Sequence, residues 1–326
     1  MAKKPLGAKE QAQRIMNKLD LRGFTKKDQK ASGRDGFRSD RTLPAHIGNL
    51  KRAAKHIFEK EGINQIKDIT PEIAQRFICH QRKRGLSSST MHNYSRTLSA
   101  TYYCLHGEKI TFKGLKPRSS DAPTTSRAYS REQVVEIINH LDFKCGLVTE
   151  FAYATGVRVS EWTSMRPASE FPAQIVEYRQ KQLERHKDNR WAGRFPNESL
   201  IAYTVSGKGN LNREVKIPQS MAELIEIFRM PETQEVKVNR GEDNRTIIQY
   251  YELPTGCSWA KKFSNTSKML FGNSRKDHGP HGLRHSFAQN RMEELQQLGF
   301  SWNEAREIIS QEMGHFRSSE TDTYLR

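Results

Sequence analysis

The chain has 326 residues, 35% of them hydrophobic and 28% charged, and a formal net charge of +17. That length suits about two domains with cores of their own. No stretch approaches the roughly 18 apolar residues a bilayer span needs, and the N-terminus has no apolar leader, so a soluble, cytoplasmic, nucleoid-associated bacterial protein is expected. The four cysteines, Cys79, Cys104, Cys145 and Cys257, fall at no CxxC or metal-ligand spacing. That argues against a disulfide scaffold and a zinc site, and for reduced thiols filling cores.

Residues 1–128 hold 27 Lys+Arg against 11 Asp+Glu, or +16, whereas residues 129–326 hold 27 against 26, or +1. A concentrated basic surface is the footprint of a nucleic-acid binder, with an anionic membrane surface or a merely solvated face as alternatives. Residues 1–38 are polar and read as a basic, flexible arm with one helix around QAQRIMNKL. From Leu43 on, Ile47, Leu50, Ala54 and Ile57 recur at helical spacing. In DITPEIAQRFICHQRKRG, Thr70 is placed to cap a helix, Pro71 suits its first position and Gly85 its stop. SSSTMHNYSRTLSATYYCLHG reads as a third helix with a serine-rich cap. These segments predict an all-helical module over residues 39–118, followed by a Pro/Ser/Thr-rich linker at 119–128.

The second domain, 129–326, opens with a helix capped by Ser130, and KCGLVTEFAYATG is an apolar helix stopping at Gly156. LIAYTVSGKGNLNREVKIP reads as two short strands joined by a Gly-rich turn. HGLRHSFAQNRMEELQQLG and SWNEAREIISQEMGH read as helices, the second with Ser301 and Glu304 in a capping-box pattern. QIVEYRQKQLERH reads as an inserted helix, and residues 230–270 receive no assignment beyond a helix-loop reading of YYELPTGCSWAKKF. The fold class predicted is mainly α with a small β-hairpin or sheet, α+β.

Four constellations of this domain bear on chemistry: Arg158 in ATGVRVSEW, Lys208 in VSGKGNLNREV, His281 and Arg284 in PHGLRHSF, and His315 followed nine residues later by Tyr324. Singly, each has an ordinary structural reading: a surface ion pair, a solvated turn tip, a solvated helix face, a helix C-cap. Together they carry two planar guanidiniums suited to phosphate oxygens, proton donors, and a hydroxyl. Neither a Walker loop nor a carboxylate cluster for Mg²⁺ occurs. The set fits metal-free attack by tyrosine on a phosphodiester. A tyrosine pKa near 10 calls for cationic neighbours and a histidine base to favour the phenolate. The arginines would steady charge on the non-bridging oxygens, and Lys208 would protonate the leaving 5′-oxygen.

On these residues the sequence resembles the tyrosine recombinases, the phage-integrase family. Their signature is an arginine after a Thr-Gly turn, a hairpin lysine, His-x-x-Arg, a later His or Trp, and a C-terminal tyrosine. Arg158, Lys208, His281, Arg284, His315 and Tyr324 fill all six positions in order. The resemblance implies a two-domain clamp, with a helical core-binding domain (SAM-like) ahead of a mixed helical catalytic domain. It further implies a 3′-phosphotyrosine at Tyr324, no metal, ATP or other cofactor, and a homotetramer on two double-stranded DNA recombination sites. Accessory DNA-bending or directionality proteins are further expected partners, and integration or excision of a phage or other mobile element is the expected role. Glu161 is expected to orient Arg158 through an ion pair. His285 is expected to point away from His281 as a structural hydrogen-bonder, and His278 has no assigned role.

Two features depart from the pattern. Arg158 and Lys208 lie 50 positions apart, farther than in the family's shorter members, which makes Lys216 the alternative lysine. Many members continue past the tyrosine with a helix that docks on a neighbouring protomer, whereas this sequence ends at Arg326, so assembly through other surfaces or a tail outside this sequence is expected. The rival functions are a DNA-binding protein that does not cut, a type IB topoisomerase, and an RNA-processing enzyme or phosphatase built on histidine and arginine.

Overall fold

The computed structural model describes residues 6–22, 24, 26–37, 42–117, 126–170, 200–207, 212–240, 243–272, 279–315 and 318–325. The fold is mainly α with two small β-sheets. The chain forms two compact units, one comprising Met1–Pro123 and Asn239–Asn244 and one comprising Thr124–Val238 and Arg245–Arg326. Most of the expected linker and all of the expected inserted helix lie outside the described residues. Among the described residues no helix is long and apolar enough to cross a membrane.

The first unit holds α1 (Ala8–Lys18), α2 (Lys26–Ser32), α3 (Thr42–Glu61), α4 (Pro71–Lys83) and α5 (Ser88–His106). Local chemistry sets the limits of the last two. Thr70 accepts the Ile73 N–H ahead of Pro71, and Ser87 accepts the Thr90 N–H. Gly107 ends α5 at φ 77°, a left-handed conformation that favours glycine. Leu50, Ala54 and Ile57 of α3 pack against Phe77, Ile78 and Leu98 in one core.

The N-terminal segment is not a separate arm. Ala12, Ile15 and Met16 of α1, together with Leu19 and Phe37, are buried in the same core. Leu19 accepts the Phe37 N–H at 2.8 Å, and the Phe37 ring stacks on His46 at 3.9 Å. The charged residues lie on the outer face of α1, and a few apolar side chains at helical spacing suffice to anchor it.

The second unit begins with α6 (Arg131–Asn139) and α7 (Phe143–Thr155). Its three-stranded sheet has the order β1 (Arg166–Pro167), β2 (Leu200–Ser206), β3 (Asn212–Pro218), antiparallel throughout, with Ser206 opposite Asn212 and Leu200 opposite Pro218. Then come α8 (Gln219–Glu226), a ribbon of β4 (Arg229–Arg240) and β5 (Asp243–Tyr251), α9 (Gly256–Phe271), α10 (His281–Gln297), α11 (Trp302–Glu312) and the single turn α12 (Ser318–Thr321). Residues 230–270 are thus a ribbon and a helix, with Thr255 capping α9 and Trp259 to Phe263 inside it. Glu226 anchors the ribbon by accepting the hydroxyls of Tyr203 and Tyr251, each at 2.7 Å. Gly156 ends α7 at φ 59°, where a Cβ would stand 2.5 Å from the Phe287 ring, so both conformation and space demand glycine.

Candidate active site

The site residues sit where elements end. Past Gly156, the turn folds back so that Glu161 lies beneath Arg158. The Arg158 N–H reaches Glu161 Oε2 at 2.9 Å, and Arg158 Nη1 reaches Oε1 at 2.5 Å. Arg158 keeps 30% of its side chain exposed, whereas Glu161 is fully buried. Burial alone would raise the Glu161 pKa. The guanidiniums of Arg213, Arg284 and Arg158 outweigh it and hold the carboxyl well below its ordinary range.

Arg284, one turn into α10, is 1% exposed and ties three segments together. Its Nη1 donates to the carbonyl of Gly156, and its Nη2 to that of Met313 at 2.6 Å and to His315 Nε2 at 2.9 Å. Burial, with the neighbouring Arg158, pulls its pKa down to about 9, still charged at neutral pH.

His315 arrives by a helix-ending motif. The Gly314 N–H bonds Gln311 O, and the His315 N–H bonds Ser310 O at 2.8 Å, with Gly314 at φ 68°. Gly-His is therefore a C-cap whose imidazole also enters the site. Because Nε2 accepts from Arg284, the proton belongs on Nδ1, which faces Thr321 Oγ1 at 3.4 Å. Burial first, then Arg284, Arg158 and Arg213, lower the His315 pKa to about 3. The fold therefore holds it neutral, and its contribution to stability is complete above pH 6.5 and is lost as pH falls toward 3. Melting temperatures from pH 7 to pH 4 are expected to fall less steeply for His315→Gln than for the parent; equal slopes would exclude His315 as the titrating group.

Tyr324 follows α12 in a turn held from several directions. Arg306 reaches Asp322 at 3.2 Å and Ser318 Oγ at 3.1 Å, and Gln289 donates to the Tyr324 carbonyl at 3.1 Å. The phenol ring lies 5.1 Å from the ring of His315, 4.8 Å from His285 and 5.5 Å from His281, with the Arg284 guanidinium 5.4 Å from its centre.

Five of the six predicted positions, Arg158, His281, Arg284, His315 and Tyr324, thus converge, with Glu161 beneath them. Lys208 lies outside the described residues, as does His278; its flanking strands are joined by the Ser206 to Asn212 side-chain bond at 2.5 Å. His285 does not point away from His281. The two are a helical turn apart on one face, with ring centres at 5.5 Å. Arg213, absent from the sequence-based set, is 2% exposed and bonds Glu161 Oε2 at 2.9 Å. Its signal was alternation: residues 213, 215 and 217 of β3 face the core, so a charged residue there needs a buried partner. By the same alternation Lys216 belongs to the opposite face of β3 from Arg213. Three guanidiniums around one carboxylate leave an excess of positive charge beside a phenol, a seat for an anion. Among the described residues no three His, Cys, Asp or Glu side chains are grouped to hold a metal ion.

No family model matches the sequence. The chain is 25% identical over 187 residues to the tyrosine recombinase XerD of Chlamydia pneumoniae, spanning 57% of this chain and about half, 49%, of that protein. It is 25% identical over 264 residues to the tyrosine recombinase XerA of Thermococcus kodakarensis, spanning 79% and 78%. In sequence the chain is thus similar to tyrosine recombinases. Solved structures share the fold of this chain. The recombinase XerH, in a post-cleavage complex with palindromic difH, aligns with a TM-score of 0.54 at 17% identity, over 87% of this chain and 76% of that one. A lambda integrase tetramer bound to a Holliday junction gives 0.55 at 14%, over 99% and 78%.

Proposed function

We propose that this chain is a site-specific DNA recombinase that cuts and rejoins double-stranded DNA through a 3′-phosphotyrosine on Tyr324. The observation that carries the reading is the seat of the Tyr324 ring, among three histidine rings and the Arg284 guanidinium of its own chain, beside a pocket with more arginine than carboxylate. A scissile phosphate in that pocket would meet the partly exposed Arg158 and lie over the buried charge of Arg284. Preorganised cations there favour the charge that grows on the phosphoryl oxygens. The phenolic oxygen attacks phosphorus, the bond to the 5′-oxygen breaks, and Lys208 gives that oxygen its proton. His315 accepts a hydrogen bond from Arg284, and the exposed His281, its ring 5.5 Å from that of Tyr324, takes the phenolic proton. Attack by a partner strand's 5′-hydroxyl reverses the step and conserves the bond, so no energy source is required.

Four protomers on two sites, with accessory DNA-bending or directionality proteins, would carry out the exchange. Integration or excision of a mobile element is the biological role we assign. The positive charge concentrated in residues 1–128 supports duplex affinity.

The test is to express the chain in its host, lyse in strong detergent, recover covalently attached DNA and sequence the captured ends, with Tyr324→Phe as control. Adducts at one or a few sites, absent from Tyr324→Phe, are the expected result. Adducts scattered without sequence preference would favour a topoisomerase, and equal recovery from both proteins would remove the cleavage chemistry altogether.

A further inference from the structure

We infer that Arg213 is a positioning residue of the proposed cleavage reaction, fixing Glu161, and through it Arg158, against the turn that delivers His315; this rests on the recombinase reading. The side chain is 2% exposed, too enclosed to touch DNA, yet it spans three parts of the site. Its Nη2 bonds Glu161 Oε2 at 2.9 Å, and its Nη1 donates to the carbonyl of Glu312. That carbonyl is one of the last of α11, which have no partner within the helix, and a cation is favoured at that end. The next carbonyl, that of Met313, receives Arg284. Two guanidiniums therefore hold successive carbonyls at the point where the chain turns to present His315. Arg213 also lies on β3, which pairs with β2.

Stability alone does not explain an arginine at this position. Its neighbours on the same face of β3, Val215 and Ile217, are apolar and buried. A buried guanidinium beside two others is costly, and well-packed apolar residues often replace buried ion pairs at no loss. What an apolar residue cannot do is orient a carboxylate that in turn orients Arg158. A displacement of about 1 Å in such a constellation slows chemistry by about 100-fold.

The experiment uses the full chain and a duplex oligonucleotide bearing the break site captured in cells. DNA affinity and the rate of covalent adduct formation at saturating DNA are measured separately. Arg213→Met is expected to slow adduct formation by about 100-fold with affinity unchanged, and Arg213→Lys to recover part of the loss. His315 faces Arg284, Arg158, Arg213, Glu161 and Tyr324. Loss of the Arg213 charge is therefore expected to move the acid limb of the rate profile to higher pH. Because Arg213 acts through Glu161, the double variant Arg213→Met/Glu161→Gln is expected to be no slower than Arg213→Met. Adduct formation at the parent's rate by Arg213→Met, or losses that multiply in the double variant, would overturn the inference and leave the recombinase reading standing. If Arg213→Met does not fold, Arg213→Lys decides by the same rate and pH profile, and a parental value of both overturns the inference. A parent that forms no more adduct than Tyr324→Phe overturns the recombinase reading, and the inference falls with it.

Discussion

Arg284→Gln is expected to slow covalent adduct formation by about 10²–10³-fold, the loss typical of removing one preorganised donor from a charge-stabilising site. The amide is shorter than the guanidinium, carries no charge, and cannot serve three acceptors in three segments. The carbonyls of Gly156 and Met313 and the Nε2 of His315 would all lose a donor. Each buried acceptor left unpaired costs about 1–3 kcal/mol, so the variant is also expected to melt at a lower temperature. A second consequence separates this residue from a simple phosphate contact. With Arg284 gone, His315 loses the nearest cation that disfavours its protonation, and its pKa is expected to rise from about 3. Rate, melting temperature and the titration of His315 followed by NMR would test the three parts separately. A variant that loses rate alone, with His315 titrating as in the parent, would show that Arg284 does not organise the site.

Glu161→Gln is expected to destabilise the second unit by about 3–5 kcal/mol at neutral pH, because it removes the carboxylate that faces Arg158, Arg213 and Arg284 and strands buried charge. The pH dependence has a definite sign. The folded carboxyl titrates well below its ordinary range, so its stabilisation is complete above about pH 4.3 and fades as pH falls below that value. Denaturation curves of the parent and Glu161→Gln are expected to lie far apart at pH 7 and to converge in acid. An anion should narrow the gap at pH 7, since sulfate in the pocket would do part of what the carboxylate does. Equal stability at pH 7 would mean that the arginines are held by something other than Glu161.

The parts of this fold that local chemistry dictates were legible in the sequence. Thr70, Ser130 and Ser301 cap the helices assigned to them, and α7 stops at Gly156 as expected. The order of Arg158, His281, Arg284, His315 and Tyr324 pointed to one site because their chemistry is complementary. What escaped depends on burial, which spacing alone does not reveal. Arg213 is one of 54 basic residues, and only the pairing of β3 places it against Glu161. The β4–β5 ribbon lacks a hydrophobic run, since residues 231–235 of β4 are all exposed and the buried Ile247, Gln249 and Tyr251 of β5 include a polar residue. His285 was misjudged by considering its neighbour Arg284 when the helical repeat of nearly four sets its direction.

The burial of Met16 and Phe37 in the first unit separates two properties of the N-terminal segment that its composition runs together. Exchange of its exposed lysines and arginines is expected to have little effect on folding, since exposed charges contribute little to stability. Its few apolar residues answer to Leu50, Ala53 and Leu98 and are bound to change in step with them. Removing the first 38 residues to simplify the protein would therefore not trim an appendage. It would uncover a core, and loss of DNA affinity in the shortened protein would report unfolding as readily as the loss of basic charge.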